Sequence, residues 1–307
     1  MPVRLSLPPS FRQQLALVTA ASGQAHRADA GAGAGARAGV GAAVPDQRPL
    51  IGMWVCSGSP LVAEICAGSG LDWILVDGEH SPVGLESTQG ILQAMAPYPI
   101  SPLVRVPSAD PVLIKQFLDL GAQNLLVPMI DTAQQAEEAV KAVRYPPQGI
   151  RGVGSALARG ARWNRVENYL QDANEHVSLF VQIESATGVR NAAAIAAVDG
   201  VDGVFVGPSD LAASMGLLGQ QTHPDVVACV LATFAEVTAA GKPVGVNAFD
   251  PAAAWQYIDA GASFVLVGAD VAMLARGSEQ LADTWIVNAG NTSDTAAGAH
   301  SAPRASY

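Results

Sequence analysis

The chain has 307 residues, half of them hydrophobic and only 14% charged, which excludes a disordered or fibrous polymer and implies a large buried core. A formal net charge of -10 leaves no footprint for nucleic acid or anionic lipid, so small anionic ligands have to be drawn by local arginines or a metal ion. Cys56, Cys66 and Cys229 are odd in number and lack CxxC spacing, so neither a disulfide framework nor a zinc ribbon is expected and a reduced cytoplasm is the default. No apolar run approaches the roughly 18 residues of a membrane span.

In chain order, Phe11-Arg12-Gln13-Gln14 and the apolar stretch Leu15 to Ala21 suit a small amphipathic helix better than a signal-peptide core. Residues 20–48, including GAGAGARAGVGAA, read as a flexible insertion within an N-terminal segment 1–49. The GAGAGA run has no strand before it and no periodic helix after it, so it is not a dinucleotide fingerprint. From residue 50, short apolar runs alternate with helix-period segments: 50–55, 72–76, 102–106, 124–129, 179–184, 202–207, 242–247 and 263–268. Eight nearly continuous hydrophobic strands with intervening helices predict a parallel sheet covered on both faces, and here a single closed (β/α)8 barrel over 50–286. Gly70, Gly121, Gly200 and Gly261 stand before strands as expected helix caps. Residues 287–307, rich in Ala, Ser, Thr and Gly, read as a mobile tail.

Active sites of such barrels lie at the C-terminal strand ends. Strand two runs into Asp77-Gly78-Glu79-His80, strand three carries Arg105, strand five ends in Gln182-Ile183-Glu184, and strand six runs into Gly207-Pro208-Ser209-Asp210. Strand four ends on Pro128-Met129 and offers only shape. Glu184 and Asp210 have no cationic neighbour in sequence, so a shared Mg²⁺ or Mn²⁺ is the simplest way to hold both ionised; the alternative is that either caps a following helix. His80 is the natural general acid or base, against a plain surface histidine. Arg105 needs an anion, either a substrate carboxylate or enolate oxygen or an internal ion-pair partner. Asp119 alone reads as a solvent-facing helix carboxylate. Trp54 either lines the pocket or is core. A Schiff-base mechanism needs a lysine at a strand end, and Lys115, Lys141 and Lys242 are not so placed, leaving a metal ion as electron sink.

The segments DGEHSP (77–82), LLVPM (125–129), RYPPQGIRGVGSALARGARWNR (144–165), VQIES (181–185) and DGVFVGPSDLAASMG (202–216) resemble the HpcH/HpaI family of class II pyruvate aldolases over about residues 50–285, outside the N-terminal insertion. The resemblance implies a barrel of the phosphoenolpyruvate/pyruvate superfamily type. It makes Glu184 and Asp210 ligands of a divalent ion (Mg²⁺, Mn²⁺ or Co²⁺) that chelates pyruvate, and His80 the base on the 4-hydroxyl, with Asp77 supporting it and Asp119 raising its basicity. Arg105 then stabilises the enolate, while Gln182 and Ser209 hold the pyruvate portion. The expected reaction is cleavage of 4-hydroxy-2-oxoheptane-1,7-dioate to pyruvate and succinate semialdehyde, with 2-dehydro-3-deoxyglucarate or 2-keto-3-deoxyrhamnonate as alternative substrates. An acyl-coenzyme A lyase and a non-catalytic barrel binding a 2-oxo acid are the rival readings. Family resemblance also implies a homohexamer, a trimer of dimers that exchange the last helix, here the Ala-rich segment 271–285.

Overall fold

The computed structural model describes residues 3–17 and 48–287. The insertion expected at 20–48 and the tail expected after 287 lie outside the described residues, apart from positions at their edges. A short helix α1 (residues 11–17) precedes eight strands: β1 (Leu50–Val55), β2 (Trp73–Asp77), β3 (Ser101–Arg105), β4 (Asn124–Val127), β5 (Ser178–Ile183), β6 (Gly203–Val206), β7 (Val244–Asn247) and β8 (Phe264–Ala269). Between them run α2 (Pro60–Ala67), α3 (Leu85–Met95), α4 (Pro111–Asp119), α5 (Ala133–Val143), α6 (Tyr169–His176), α7 (Ala186–Arg190), α8 (Ala192–Ala196), α9 (Pro208–Ser214), α10 (Pro224–Ala239) and α11 (Pro251–Asp259), and α12 (Asp270–Ala282) closes the series. All strand pairs are parallel, in chain order, and β8 pairs with β1 to close the barrel. Each expected strand is present to within two residues of its sequence boundaries.

Local chemistry sets these boundaries. Ser59-Pro60, Asp110-Pro111 and Asp250-Pro251 each combine an N-cap with a proline at the first helical position, and the cap side chains accept from backbone N–H groups of Val62, of Val112 and Leu113, and of Ala253. At the opposite ends, Gly121 (φ 101°) and Gly261 (φ 103°) adopt the left-handed conformation that stops α4 and α11 and turns the chain back to the sheet.

Strand alternation divides the core in two. Outward residues such as Ile74, Val104, Val181, Val204 and Val246 pack beneath the helices. Inward ones, including Trp73, Leu75, Leu103, Leu126, Phe180, Phe205, Phe264 and Leu266, fill the barrel. Large and small residues alternate between neighbouring strands: a Cβ at Gly52 would stand 2.5 Å from the Trp73 ring, and one at Gly203 2.6 Å from the Phe180 ring.

Helix α1 stoppers the N-terminal end of the barrel. Phe11 is fully buried against Trp73, Phe180 and Phe264, with ring centroids 5.2 to 5.5 Å away. Two amide groups at the start of α1 are received by inward polar side chains: Phe11 N–H donates to Asn124 Oδ1 at 2.7 Å and Arg12 N–H to Ser178 Oγ at 3.1 Å. Replacing Phe11 by alanine empties this stopper and is expected to cost about 3–5 kcal/mol, read as a lower midpoint in urea denaturation with an unchanged slope. An unchanged midpoint would show that α1 contributes nothing to barrel stability.

Candidate active site

The C-terminal strand ends form the other mouth, and period-two alternation decides which side chains enter it. The inward series ends on Asp77 in β2, Arg105 in β3, and Gln182 followed by Glu184 in β5. All four are buried, with 2 to 5% residual exposure.

Arg105 organises the β2–β3 sector. Its Nε donates to Asp77 Oδ1 at 2.9 Å, Nη1 stands 2.9 Å from Glu79 Oε2, and the guanidinium carbon lies 4.4 Å from the centroid of a Trp54 ring. Of the two partners open to Arg105, the structure supplies the internal carboxylates, and Nη2 keeps no protein partner among the described residues. Burial pushes the Asp77 carboxyl up, but Arg105 and the N–H groups of Glu79 and His80 outweigh it and hold the group below the usual range. Glu79 goes the other way: burial, with repulsion from Asp77 and Asp210, raises it despite Arg105 and His80.

Asp77 also folds the turn that follows β2. It accepts from Glu79 N–H at 3.0 Å and from the Ser81 hydroxyl at 3.1 Å. The turn leaves the His80 side chain 65% exposed at the rim, its Nε2 3.7 Å from Glu79 Oε2. The thiol of Cys56, nearby at the end of β1, is pushed up to about 11 by burial, against a hydrogen bond to Ser81, and so stays protonated at neutral pH.

Across the mouth, Glu184 is buried, and among the described residues no arginine or lysine pairs with it. Its Oε1 accepts from Met129 N–H at 2.8 Å, and its Oε2 accepts from Gln182 Nε2. Met129 reaches that position by adopting φ 57°, a left-handed conformation uncommon for its side chain. Burial pushes the Glu184 carboxyl up to about 7, and the acidic neighbours Glu79 and Asp210 push it the same way. Gln182 Oε1 is buried without a hydrogen-bond partner. Ser209 and the exposed Asp210 begin α9, after Gly207 brings β6 against Glu184.

Among the described residues no three His, Cys, Asp or Glu side chains converge as a ready-made metal cage. The pair Glu184 and Asp210 nevertheless fits a hard divalent ion whose remaining positions are filled by water and ligand oxygens. A buried carboxylate with carboxylates nearby, beside an amide oxygen that has no partner among the described residues, matches what such an ion requires. Lysine chemistry is absent from this mouth: Lys242 Nζ bonds the Val201 carbonyl oxygen below β6, and Lys115 and Lys141 lie on α4 and α5.

Two of the expected site residues stand apart from the open mouth. Asp119 ends α4, and helices of this barrel run opposite to the strands, so it lies near the start of β4, at the other end of the barrel from His80. Its partner is Arg151, at 3.3 Å, so within one chain it does not bear on His80. Of the two places open to Trp54, pocket wall or core, the structure gives the core. Trp54 is buried at 8% exposure, its ring against Arg105 and Phe205 and its Nε1 donating to Asn247 Oδ1 at 2.7 Å.

Three contributors escaped the sequence reading. Glu79 was passed over between Asp77 and His80, although it lies in the same strand-end motif. The Met129 N–H carries no side-chain signal. Asp270, just past β8, is 2% exposed and accepts from Cys56 N–H at 2.8 Å, Ser57 N–H at 3.0 Å and Val271 N–H at 2.8 Å, which pins the β1 loop to the mouth.

The sequence profile of the HpcH/HpaI aldolase/citrate lyase family matches residues 50–276, the whole barrel. The chain belongs to that family. A hydroxypyruvate/pyruvate aldolase of Deinococcus radiodurans is 53% identical over 238 residues, 78% of this chain and 86% of that protein. A 4-hydroxy-2-oxo-heptane-1,7-dioate aldolase of Salmonella heidelberg is 51% identical over 235 residues, 76% of this chain and 89% of that one. Among solved structures, a family protein from Burkholderia cenocepacia superposes with TM-score 0.74 at 43% identity, covering 77% of this chain and 94% of its own. With this membership goes carbon–carbon lyase chemistry of the aldolase type.

The packing of β6 on Glu184 has a direct test. A Cβ at Gly207 would stand 2.9 Å from Glu184 Oε2 and 3.0 Å from Gln182 Nε2. Gly207→Ala is therefore expected to displace the carboxylate and to destabilise by about 1–3 kcal/mol in chemical denaturation. A variant with wild-type stability and activity would show that this approach is not tight.

Proposed function

We propose that the chain is a divalent-metal-dependent aldolase that cleaves and forms 4-hydroxy-2-oxo acids, with pyruvate or hydroxypyruvate as the 2-oxo acid and succinate semialdehyde or a similar aldehyde as the second product. The observation that carries this reading is the pair of opposed sectors in one mouth: buried Glu184, near Asp210 and without a protein cation, and Arg105 held rigid across from it.

In cleavage, His80 accepts the proton of the C4 hydroxyl, the C3–C4 bond breaks toward the 2-oxo group, and the aldehyde departs. Arg105 turns its remaining Nη2 donors to the oxygen on which negative charge develops; Asp77, Glu79 and the Trp54 ring fix its orientation beforehand, so little reorganisation is needed at the moment of reaction. Gln182 and the backbone at Ser209 orient the carboxylate end, and a proton returned to C3 completes the 2-oxo acid. Glu184 and Asp210 would hold the Mg²⁺, Mn²⁺ or Co²⁺ ion, which when bound polarises the 2-oxo group as a Lewis acid.

We infer further that copies of the chain associate. In α12 only Asp270 is buried, and Met273, Leu274 and Leu281 on it, with Trp285 and Ile286 just beyond, are 59 to 74% exposed, apolar surface that a hexamer would cover. Asp119 would bear on a His80 only from such a neighbouring copy.

The first experiment measures pyruvate release from 4-hydroxy-2-oxoheptane-1,7-dioate, 2-dehydro-3-deoxyglucarate and 2-keto-3-deoxyrhamnonate, with chelator and then with each metal. Cleavage lost to chelator and restored by metal is expected; activity indifferent to chelation would overturn the metal-dependent reading. His80→Ala and Asp210→Ala should each lower turnover by about 10²-fold or more while leaving the circular dichroism spectrum intact. For association, light scattering should give a mass several times that of one chain, reduced by Leu281→Asp with Trp285→Asp. A monomeric wild type would refute it.

A further inference from the structure

The mouth is polar on the β2, β3, β5 and β6 side and apolar on the side of β7, β8 and β1. Leu266 and Ala269 of β8 and the Trp54 ring of β1 cluster beneath that second side with Phe205 of β6, and Phe249 packs against them. Two polar side chains interrupt it: Asp270, whose carboxylate is taken up by the N–H groups of Cys56, Ser57 and Val271, and Asn247. Gly245 and Asn247 share the inward face of β7, since Val244 and Val246 belong to the outer core and a Cβ at Gly245 would run into the inward-facing Phe264 ring. Asn247 is the last residue of β7, half-buried at the level of the site residues.

The orientation of its carboxamide is decided by its neighbour. An indole N–H can only donate, so the Asn247 atom 2.7 Å from Trp54 Nε1 is the acceptor oxygen Oδ1. The NH2 group then points away from Trp54, and among the described residues it has no acceptor. A two-proton donor without a protein acceptor, one side chain removed from Arg105, suits an oxygen on whatever occupies the mouth.

We propose that Asn247 is a specificity-determining residue that hydrogen-bonds the 3-hydroxyl of the 2-oxo acid, and that the enzyme prefers a 3-hydroxylated 2-oxo acid such as hydroxypyruvate over pyruvate. This rests on the aldolase reading given above. Two features select this ligand oxygen over the aldehyde's. β7 adjoins β6 and the sector of Glu184 and Asp210, where the 2-oxo acid is held, and lies away from His80 on β2, where the aldehyde oxygen must be. A neutral amide also matches a neutral hydroxyl; a distal carboxylate calls for a cation. A site built to bond a hydroxyl discriminates against the analogue that lacks it, because its own donor is then left unpaired.

The test runs the reaction in the direction of bond formation, adding hydroxypyruvate or pyruvate to one common aldehyde, glycolaldehyde, with Mn²⁺ present, and compares the ratio of the two kcat/KM values. Asn247→Leu removes the amide. Asn247→Asp keeps an acceptor for Trp54 but has no donor, so it separates ligand recognition from support of the indole. Both variants are expected to lower the hydroxypyruvate-to-pyruvate ratio by about 10-fold, mainly through KM for hydroxypyruvate. Ratios within twofold of the wild type in both variants would overturn the assignment while leaving the aldolase reading intact. Absence of carbon–carbon bond formation from either acid in the wild-type enzyme would instead overturn the aldolase reading itself.

Discussion

A guanidinium cannot be left bare inside a barrel, and the placement of Arg105 governs much of what surrounds it. Removing such a charge from water costs several kcal/mol, and a buried pair that loses one partner costs about 3–5 kcal/mol. Asp77 and Glu79 meet that demand from the adjacent strand, Asp77 with a direct hydrogen bond and Glu79 with a close charge contact, while the Trp54 ring covers the guanidinium. The same contacts shape the turn after β2 and thereby set His80 at the rim. Arg105, His80 and Trp54 are thus one mechanical unit, and Asn247 joins it through the indole N–H.

The charge of the mouth is unbalanced once Arg105 is accounted for. Asp77 and Glu79 face its single positive charge with two carboxyl groups, and Glu184 and Asp210 add two more on the far side. Asp77 and Glu184 shift in opposite directions for this reason: a guanidinium touching the first holds it below the usual carboxylate range, while burial with Glu79 and Asp210 nearby raises the second to about 7 against the donors of Met129 and Gln182. Repulsion of this kind in a low-dielectric site is relieved by a cation, and Glu184 with the unpaired Gln182 Oε1 offers oxygen ligands for one, in keeping with the metal requirement expected of the family.

The barrel was legible because its strands are buried on both faces and therefore read as uninterrupted apolar runs, with glycine stops between them. The strand-end rule then located Asp77, His80, Arg105, Gln182, Glu184, Ser209 and Asp210, since each lies at or just past the end of such a run. What stayed hidden follows from the limits of that rule. Asp119 has a helix position, and only the antiparallel course of α4 reveals that it faces the opposite end. The donor from Met129 is backbone, invisible to residue type. Asn247 ends the run KPVGVN, but an amide signals chemistry only when its neighbour, distant in sequence, is known to be an indole donor.

Stability and reactivity are kept at opposite ends of the same strands. At the N-terminal end, Asn124 and Ser178 spend their inward polar groups on the backbone of α1, and Phe11 closes an aromatic cluster that needs no ligand. At the C-terminal end the inward polar groups are only partly matched by protein: Arg105 Nη2, Gln182 Oε1 and the Asn247 NH2 group have no protein partner among the described residues. Because β2 and β5 alternate strictly and span both layers, a change that shifted the register of either by one residue would turn Asp77 or Glu184 outward into the helix layer and expose Trp73 or Phe180 to the same fate. The packed lower layer therefore fixes the register on which the unsatisfied upper layer depends, and that is how a stable barrel can hold open a set of donors and acceptors for a ligand.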